Sequence, residues 1–147
     1  MNRKKFLFAC GSACLSSVVL SSILQSCGTT KIIHATLNGS DLVVPLADFE
    51  EIKNQVKTYK KYIVAQNVSL QYPICIFRRD ESNYTAISMK CSHQGVELQV
   101  FGDKLHCPAH GSEFNNEGMV QEGPAIENLR KFATRIENQE LRISLKV

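Results

Sequence analysis

The sequence has 147 residues, of which 44% are hydrophobic and 21% are charged. This composition is typical of one globular domain with a short additional segment, and it excludes a largely disordered chain. The formal net charge is +3, but Arg3, Lys4 and Lys5 lie at the N-terminus, and residues 27–147 carry equal numbers of basic and acidic side chains. That balance excludes the strongly basic surface of a nucleic-acid-binding domain.

Residues 1–26 are predicted to be an export signal. Their basic start is followed by an apolar run from Phe6 to Leu24 and then by a small residue, Ser26, before Cys27, which is the order found in exported bacterial proteins. The end of this segment resembles a lipobox, at which bacterial lipoproteins receive diacylglycerol, so Cys27 is the predicted lipidation site. An uncleaved membrane helix is the alternative, because the apolar run is about long enough to cross a bilayer.

The start of the chain also resembles a twin-arginine signal, which exports proteins that have already folded, although Lys4 replaces the second arginine. The general secretory route is the alternative. With either route and either anchor, the sequence predicts a protein attached to the membrane on the periplasmic side of a bacterial cell envelope.

After the export signal, residues 27–40 are predicted to form a polar tether and residues 41–147 a single domain. Short apolar segments alternate there with turn residues, a pattern that indicates β-strands. The predicted strands cover residues 42–46, 62–66, 74–78, 84–89, 97–101, 104–107, 119–120, 131–136 and 141–147. Apolar residues also recur at helical spacing from Phe49 to Tyr59, which predicts a short helix within residues 47–58. The predicted fold class is all-β.

Two glycine-containing segments, each after a predicted strand, carry the residues with distinctive chemistry. Cys91 and His93 lie in the first segment, and Cys107 and His110 lie in the second. Two thiolates and two imidazoles could hold a zinc ion, which would make the domain a zinc-stabilised binding module. Zinc sites usually pair like ligands within a segment, however, whereas one cysteine and one histidine per segment suit a cluster whose two irons differ in their ligands.

The two segments resemble those of the Rieske family, whose pattern is Cys-x-His-x-Gly followed by Cys-Pro-x-His-Gly-Ser. Downstream, Gly123-Pro124 is similar to the family's third loop, which covers the flank of the cluster. The resemblance covers about residues 41–147 and implies an antiparallel β-sandwich with a small cluster-binding subdomain. It also implies a [2Fe-2S] cluster with four protein ligands, Cys91, His93, Cys107 and His110.

Two departures separate the sequence from the Rieske proteins of cytochrome bc complexes. Those relatives clamp the two segments with a disulfide, but Val96 and Ala109 stand at the matching positions, so the resemblance is to a single-domain exported form without the clamp. They also place a serine and a tyrosine hydroxyl near the cluster sulfurs. Ser112 matches the serine, but Phe114 replaces the tyrosine. Because hydrogen bonds to the sulfurs set the potential, we expect a value below that of the quinol-oxidising proteins.

The sequence therefore favours one-electron transfer, with an unidentified cytochrome or quinol-linked complex as the redox partner. A subunit of a larger quinol-oxidising or other oxidoreductase complex is the second hypothesis, and the zinc-stabilised binding module is the third. No residues indicate a substrate pocket or a general acid–base pair, so the chain is not predicted to be an enzyme by itself.

Overall fold

The computed structural model of the protein describes residues 30–146, which fold almost entirely as β-strands. The predicted export signal and Cys27 lie outside these residues. The helical structure in the described chain is one 3-10 helix, Leu46–Phe49. No helix among residues 30–146 is long and apolar enough to cross a membrane. The predicted all-β class is confirmed.

The strands follow one another along the described chain with short connections. In chain order they are β1 (Ile32–His34), β2 (Thr36–Asn38), β3 (Asp41–Pro45), β4 (Glu50–Lys53), β5 (Val56–Tyr59), β6 (Tyr62–Gln66), β7 (Ile74–Arg78), β8 (Tyr84–Ser88), β9 (Gln99–Phe101), β10 (Lys104–His106), β11 (Glu113–Asn115), β12 (Val120–Glu122), β13 (Lys131–Phe132), β14 (Thr134–Glu137) and β15 (Glu140–Ser144). The predicted central strands agree closely with β6, β7 and β8, whereas β11 has no counterpart among the predicted strands.

Two sheets pack face to face around the main hydrophobic core. One has the strand order β1-β6-β7-β8-β13, and the other has the order β14-β15-β3-β2. Their pairings are antiparallel except for that of β1 with β6. Apolar side chains that alternate along the strands meet between the sheets, among them the fully buried Leu42, Val44 and Ile63. This is the arrangement of an antiparallel β-sandwich.

A third sheet, with the order β12-β11-β10-β9, covers the opposite face of the five-stranded sheet. Its Leu105 and Phe114 join Cys75 and Ile87 of the five-stranded sheet in a second hydrophobic cluster. Burial on both faces explains why residues 74–77 of β7 are continuously apolar rather than alternating. The third sheet carries one of the two ligand segments, so this second cluster holds the site against the sandwich.

The helix predicted within residues 47–58 is wrong. After the 3-10 helix, β4 and β5 form a hairpin whose strands pair only with each other in the described chain. Asn54 and Gln55 connect them with φ angles of 50° and 62°, the left-handed pair of a two-residue hairpin turn. The helical spacing was misleading because its apolar residues do not share one buried face. Phe49 is buried, whereas Ile52, the next apolar residue in the pattern, is 79% exposed.

The segment predicted as a tether, residues 27–40, is partly folded. Both β1 and β2 lie within it, and Ile33 and Ala35 contribute to the main core. β1 joins the edge of the five-stranded sheet by pairing in parallel with β6, a long-range contact that the local sequence pattern does not reveal. The folded domain therefore includes residues 32–38.

Candidate metal centre

The first ligand segment, residues 91–95, follows β8 and forms a tight loop, called loop one below. The backbone N–H of Cys91 donates to the carbonyl of Val96 at 2.9 Å, and the N–H of Gly95 donates to the carbonyl of Cys91 at 2.9 Å. Gly95 has a φ of +72°, a conformation that disfavours any residue with a side chain. These bonds fix the backbone on either side of His93.

The second ligand segment, residues 107–112, joins β10 to β11 and is called loop two below. It repeats the hydrogen-bond pattern of loop one. The N–H of Cys107 donates to the carbonyl of Ser112 at 2.8 Å, and the N–H of Gly111 donates to the carbonyl of Cys107 at 3.0 Å. Two loops of the same construction therefore each present a cysteine at their start and a histidine further along.

The four predicted ligands form an inner pair and an outer pair. Cys91 and Cys107 are each 1% exposed and belong to the second hydrophobic cluster. His93 and His110 are exposed, and their ring centroids lie 5.0 Å apart with an interplanar angle of 84°. Two sulfur donors thus lie inside and two nitrogen donors lie at the surface. This donor set fits a [2Fe-2S] cluster with thiolates on one iron and imidazoles on the other.

The four donors divide into an inner pair of thiols and an outer pair of imidazoles. A structural zinc site needs four ligands around one ion, whereas each iron of this kind of cluster takes two ligands from the protein. Val96 and Ala109 stand where the related disulfide would be, and the cysteines of the described chain are free thiols.

A third loop, residues 123–127, lies beside the two ligand loops. It begins with Gly123 and Pro124, the predicted third-loop residues, which are both exposed. Ala125 follows at 3% exposure and packs in the second hydrophobic cluster. The buried Ala125 therefore anchors the third loop, and the first two residues of the loop are exposed beside the site.

Two serine hydroxyls connect the third loop to the ligand loops. The hydroxyl of Ser92 in loop one donates to the carbonyl of Glu127 at 2.6 Å, and the N–H of Ala125 donates to the hydroxyl of Ser112 in loop two at 3.0 Å. Ser92 was not among the predicted site residues. Its place next to a ligand cysteine was the available signal, because a small hydroxyl there can reach a neighbouring backbone.

We expect Ser92→Ala to loosen the third loop. Loss of the bond to Glu127 removes roughly 0.5–1.5 kcal/mol of local stability, so amide hydrogen exchange in residues 123–127 should accelerate. A strong iron chelator should also remove iron faster. Ser92→Thr, which keeps the hydroxyl, should restore both rates. Ser82→Ala is the matched control, because the Ser82 hydroxyl bonds only within its own turn, to Asp80. Equal exchange in Ser92→Ala and the unmodified protein would contradict the expectation.

The two predicted tuning residues are both fully buried. Ser112 is 0% exposed, and its oxygen accepts the bond from the N–H of Ala125, which leaves its hydroxyl hydrogen free to donate. Phe114 is also 0% exposed and lies in the second hydrophobic cluster with both ligand cysteines. The serine can therefore donate to a cluster sulfur, whereas Phe114 has no hydroxyl to donate.

A groove of about 940 Å³ runs along the outer side of loop one. His93 contributes to its wall, and so do Lys90, Tyr72 and Arg130. The Lys90 ammonium lies 5.6 Å from the centre of the Tyr72 ring. The groove gives an approaching molecule access to one exposed imidazole from the side.

Comparison with known proteins identifies the region that contains the site. The family model described as the Rieske [2Fe-2S] domain matches residues 43–133. The cytochrome b6-f complex iron-sulfur subunit of Chlorobaculum tepidum is 30% identical over 63 residues, which cover 42% of this chain and 35% of that protein. YhfW of Bacillus subtilis, named as a Rieske 2Fe-2S iron-sulfur protein, is 37% identical over 59 residues, which cover 38% of this chain and 11% of that protein.

Solved structures give the same fold. The plasma membrane Rieske protein PetC3 from Synechocystis PCC 6803 superposes with a TM-score of 0.50 at 25% identity, covering 57% of this chain and 86% of that chain. One chain of the complex of reduced oxygenase and oxidized ferredoxin in carbazole 1,9a-dioxygenase superposes with a TM-score of 0.54, covering 74% of this chain and 96% of that chain. The identity to the latter is 21%, so that likeness concerns the fold alone.

Proposed function

The chain belongs to the Rieske [2Fe-2S] domain family and carries a [2Fe-2S] cluster, and on this premise we propose that it is a one-electron carrier on the periplasmic side of a bacterial membrane. The proposed ligands are Cys91, His93, Cys107 and His110. The observation that carries the proposal is the pair of exposed imidazoles, 5.0 Å apart, next to two buried thiols.

When bound, a [2Fe-2S] cluster supplies a centre that takes up and releases one electron. Cys91 and Cys107 would hold it from inside the second hydrophobic cluster, where water is excluded. His93 and His110 would hold it from the surface, so a redox partner that touches the imidazoles would make the closest approach. Neutral imidazoles in place of thiolates also leave less negative charge around the irons, which raises the potential.

A subunit of a larger oxidoreductase complex is the second candidate. The similarity to a cytochrome b6-f iron-sulfur subunit favours it, as does the groove beside His93. Two features favour the independent carrier instead. Phe114 lacks the hydroxyl of the quinol-oxidising relatives, and each ligand loop is hydrogen-bonded to the third loop, with Val96 and Ala109 at the positions of the related disulfide. Both favour a potential too low for direct quinol oxidation.

The proposed attachment to the membrane is through a lipid on Cys27. Support comes from the sequence pattern around this cysteine and from the short distance along the chain to the first described residue, Thr30. An uncleaved helix formed by the preceding apolar run is the alternative anchor. Cys27→Ser distinguishes them, because it prevents lipidation without shortening the apolar run.

Isolation of the full-length protein tests carrier against subunit. Tagged protein, extracted with a mild detergent from the membranes of its own cells, should elute with no other protein or haem in a fixed ratio. Coulometric titration of that material should take up one electron for every two irons. Co-elution with haem and other chains in constant proportion would establish the subunit role. A domain that binds zinc and accepts no electron would contradict both candidates.

A further inference from the structure

The hairpin formed by β4 and β5 stands apart from the three larger sheets. Its strands pair only with each other in the described chain. Its base is attached where the N–H of Lys60 donates to the carbonyl of Phe49 at 2.7 Å. The far end of the hairpin, around Asn54 and Gln55, is thus a projection from the sandwich and contributes nothing to the described core.

Two apolar side chains near the end of this projection are unshielded. Ile52 is 79% exposed and Val56 is 61% exposed. The register places Ile52 opposite Lys57 and Val56 opposite Lys53, so the two apolar side chains lie on opposite faces of the hairpin. Both lysines have partners within the hairpin, since Lys57 pairs with Glu50 at 2.6 Å and Lys53 pairs with a neighbouring glutamate. The end of the hairpin therefore presents one apolar side chain on each of its faces.

The N-terminal end of the described chain lies at the base of the same hairpin. The hydroxyl of Thr30 is 3.2 Å from the hydroxyl of Tyr62, which begins β6 just after the hairpin. The ammonium of Lys31 donates to the carboxylate of Asp48, just before the hairpin, at 2.8 Å. Three residue steps separate Thr30 from Cys27, and they span at most roughly 10 Å. A lipid on Cys27 would therefore hold the hairpin close to the bilayer.

The ligand loops lie at the opposite end of the five-stranded sheet. β7 pairs with β8 so that Arg78 is opposite Tyr84 at one end and Ile74 is opposite Ser88 at the other. Tyr62 and the hairpin belong to the Arg78 end, because β6 pairs with β7 from Tyr62 onwards. Loop one follows Ser88, roughly 14 Å further along the sheet at about 3.4 Å per residue. The sandwich thus separates the hairpin from the imidazoles.

We propose that the end of the β4–β5 hairpin enters the surface of the membrane to which the chain is anchored, with Ile52 and Val56, one on each face, in the interface between headgroups and acyl chains. This inference rests on the proposed anchor at Cys27. Amphipathic elements bind this interface through buried apolar area, and here the lipid supplies attachment while the hairpin supplies orientation. The consequence is that His93 and His110 face away from the membrane, so the partner is a water-soluble redox protein.

A single tryptophan reports the position of the hairpin, because the sequence contains none. Ile52→Trp places the reporter in the hairpin. Val68→Trp is the matched control, since Val68 is 104% exposed and lies in the connection from β6 to β7, at the Ile74 end. Each full-length lipidated protein is reconstituted in phosphatidylcholine vesicles with brominated acyl chains. We expect severalfold stronger quenching for Ile52→Trp than for Val68→Trp, unchanged at high salt because the hairpin lysines are already paired.

Each other outcome overturns the inference, and the outcomes separate its failure from that of the anchor. If the protein floats with the vesicles but Ile52→Trp is no more quenched than Val68→Trp, the anchor stands and the membrane-facing hairpin is wrong. If neither protein floats, the anchor fails and the inference fails with it. Stronger quenching of Val68→Trp would show the reverse orientation, with the imidazoles towards the membrane. The visible spectrum of the same samples shows whether the cluster is present, whichever of these three outcomes is observed.

Discussion

Cys107→Ser is expected to yield a protein without its [2Fe-2S] cluster, and Cys91→Ser is expected to do the same. A serine hydroxyl is a much weaker ligand than a thiolate for the iron that the two cysteines would hold, and both cysteines are 1% exposed inside the second hydrophobic cluster. No other cysteine lies in either ligand loop to replace them. Iron and acid-labile sulfide should fall from two of each per chain to near zero, and the visible absorption should disappear.

Cys75 provides the matched control. It is 0% exposed and belongs to the same hydrophobic cluster as the ligand cysteines. Burial raises the pKa of the Cys75 thiol, and this residue lies within β7, outside both ligand loops. Cys75→Ala should therefore keep the full iron and sulfide content. The ligand assignment would be contradicted if Cys107→Ser kept two irons, or if a folded Cys75→Ala lost them.

Ser112→Ala is expected to lower the reduction potential by several tens of millivolts. The Ser112 oxygen accepts the bond from the N–H of Ala125, which leaves its hydroxyl hydrogen free to donate to a cluster sulfur. A hydrogen bond to sulfur is stronger in the reduced state, and a difference of roughly 1–2 kcal/mol is typical of charge-assisted bonds. For one electron, about 59 mV corresponds to a tenfold change in equilibrium constant. Protein-film voltammetry measures the shift directly.

The same substitution should also destabilise the third loop. The N–H of Ala125, which is 3% exposed, would lose its acceptor, and an unsatisfied buried donor costs roughly 1–3 kcal/mol. Ser112→Thr should recover both the potential and the stability. Phe114→Tyr should move the potential upward, because it supplies the missing hydroxyl in the same hydrophobic cluster. Unchanged potentials in Ser112→Ala and Phe114→Tyr would show that neither position reaches a sulfur.

The site could be predicted from the sequence because its ligands are concentrated in two short segments. Cys91 to Gly95 and Cys107 to Ser112 carry their own turn geometry, so their chemistry is visible without knowledge of the fold. The central strands were predictable for a similar reason, since the apolar run in β7 is local. The structure places the two histidine rings side by side and buries both cysteines in one hydrophobic cluster, and their role as ligands stays a prediction that the variants above test.

The features that could not be predicted depend on long-range contacts. β1 pairs with β6, which lies about thirty positions later in the chain; for example, Ile33 is opposite Ala65. The three residues of β1 carry no strong strand pattern of their own. The bond from Ser92 to Glu127 likewise joins residues that are distant in sequence. The β4–β5 hairpin was mistaken for a helix because its apolar residues match helical spacing, although they do not share a buried face.

Nitrogen coupling in the reduced protein shows whether histidine side chains bind the cluster. Full-length protein labelled with ¹⁵N only in histidine is reduced by one electron, and its electron–nuclear double resonance spectrum is recorded. We expect strong coupling of the electron spin to two histidine nitrogens. A variant of His93 or of His110 that retains its irons should lose one of these two couplings. A reduced cluster without histidine coupling, or a protein that takes up no electron, would contradict this expectation.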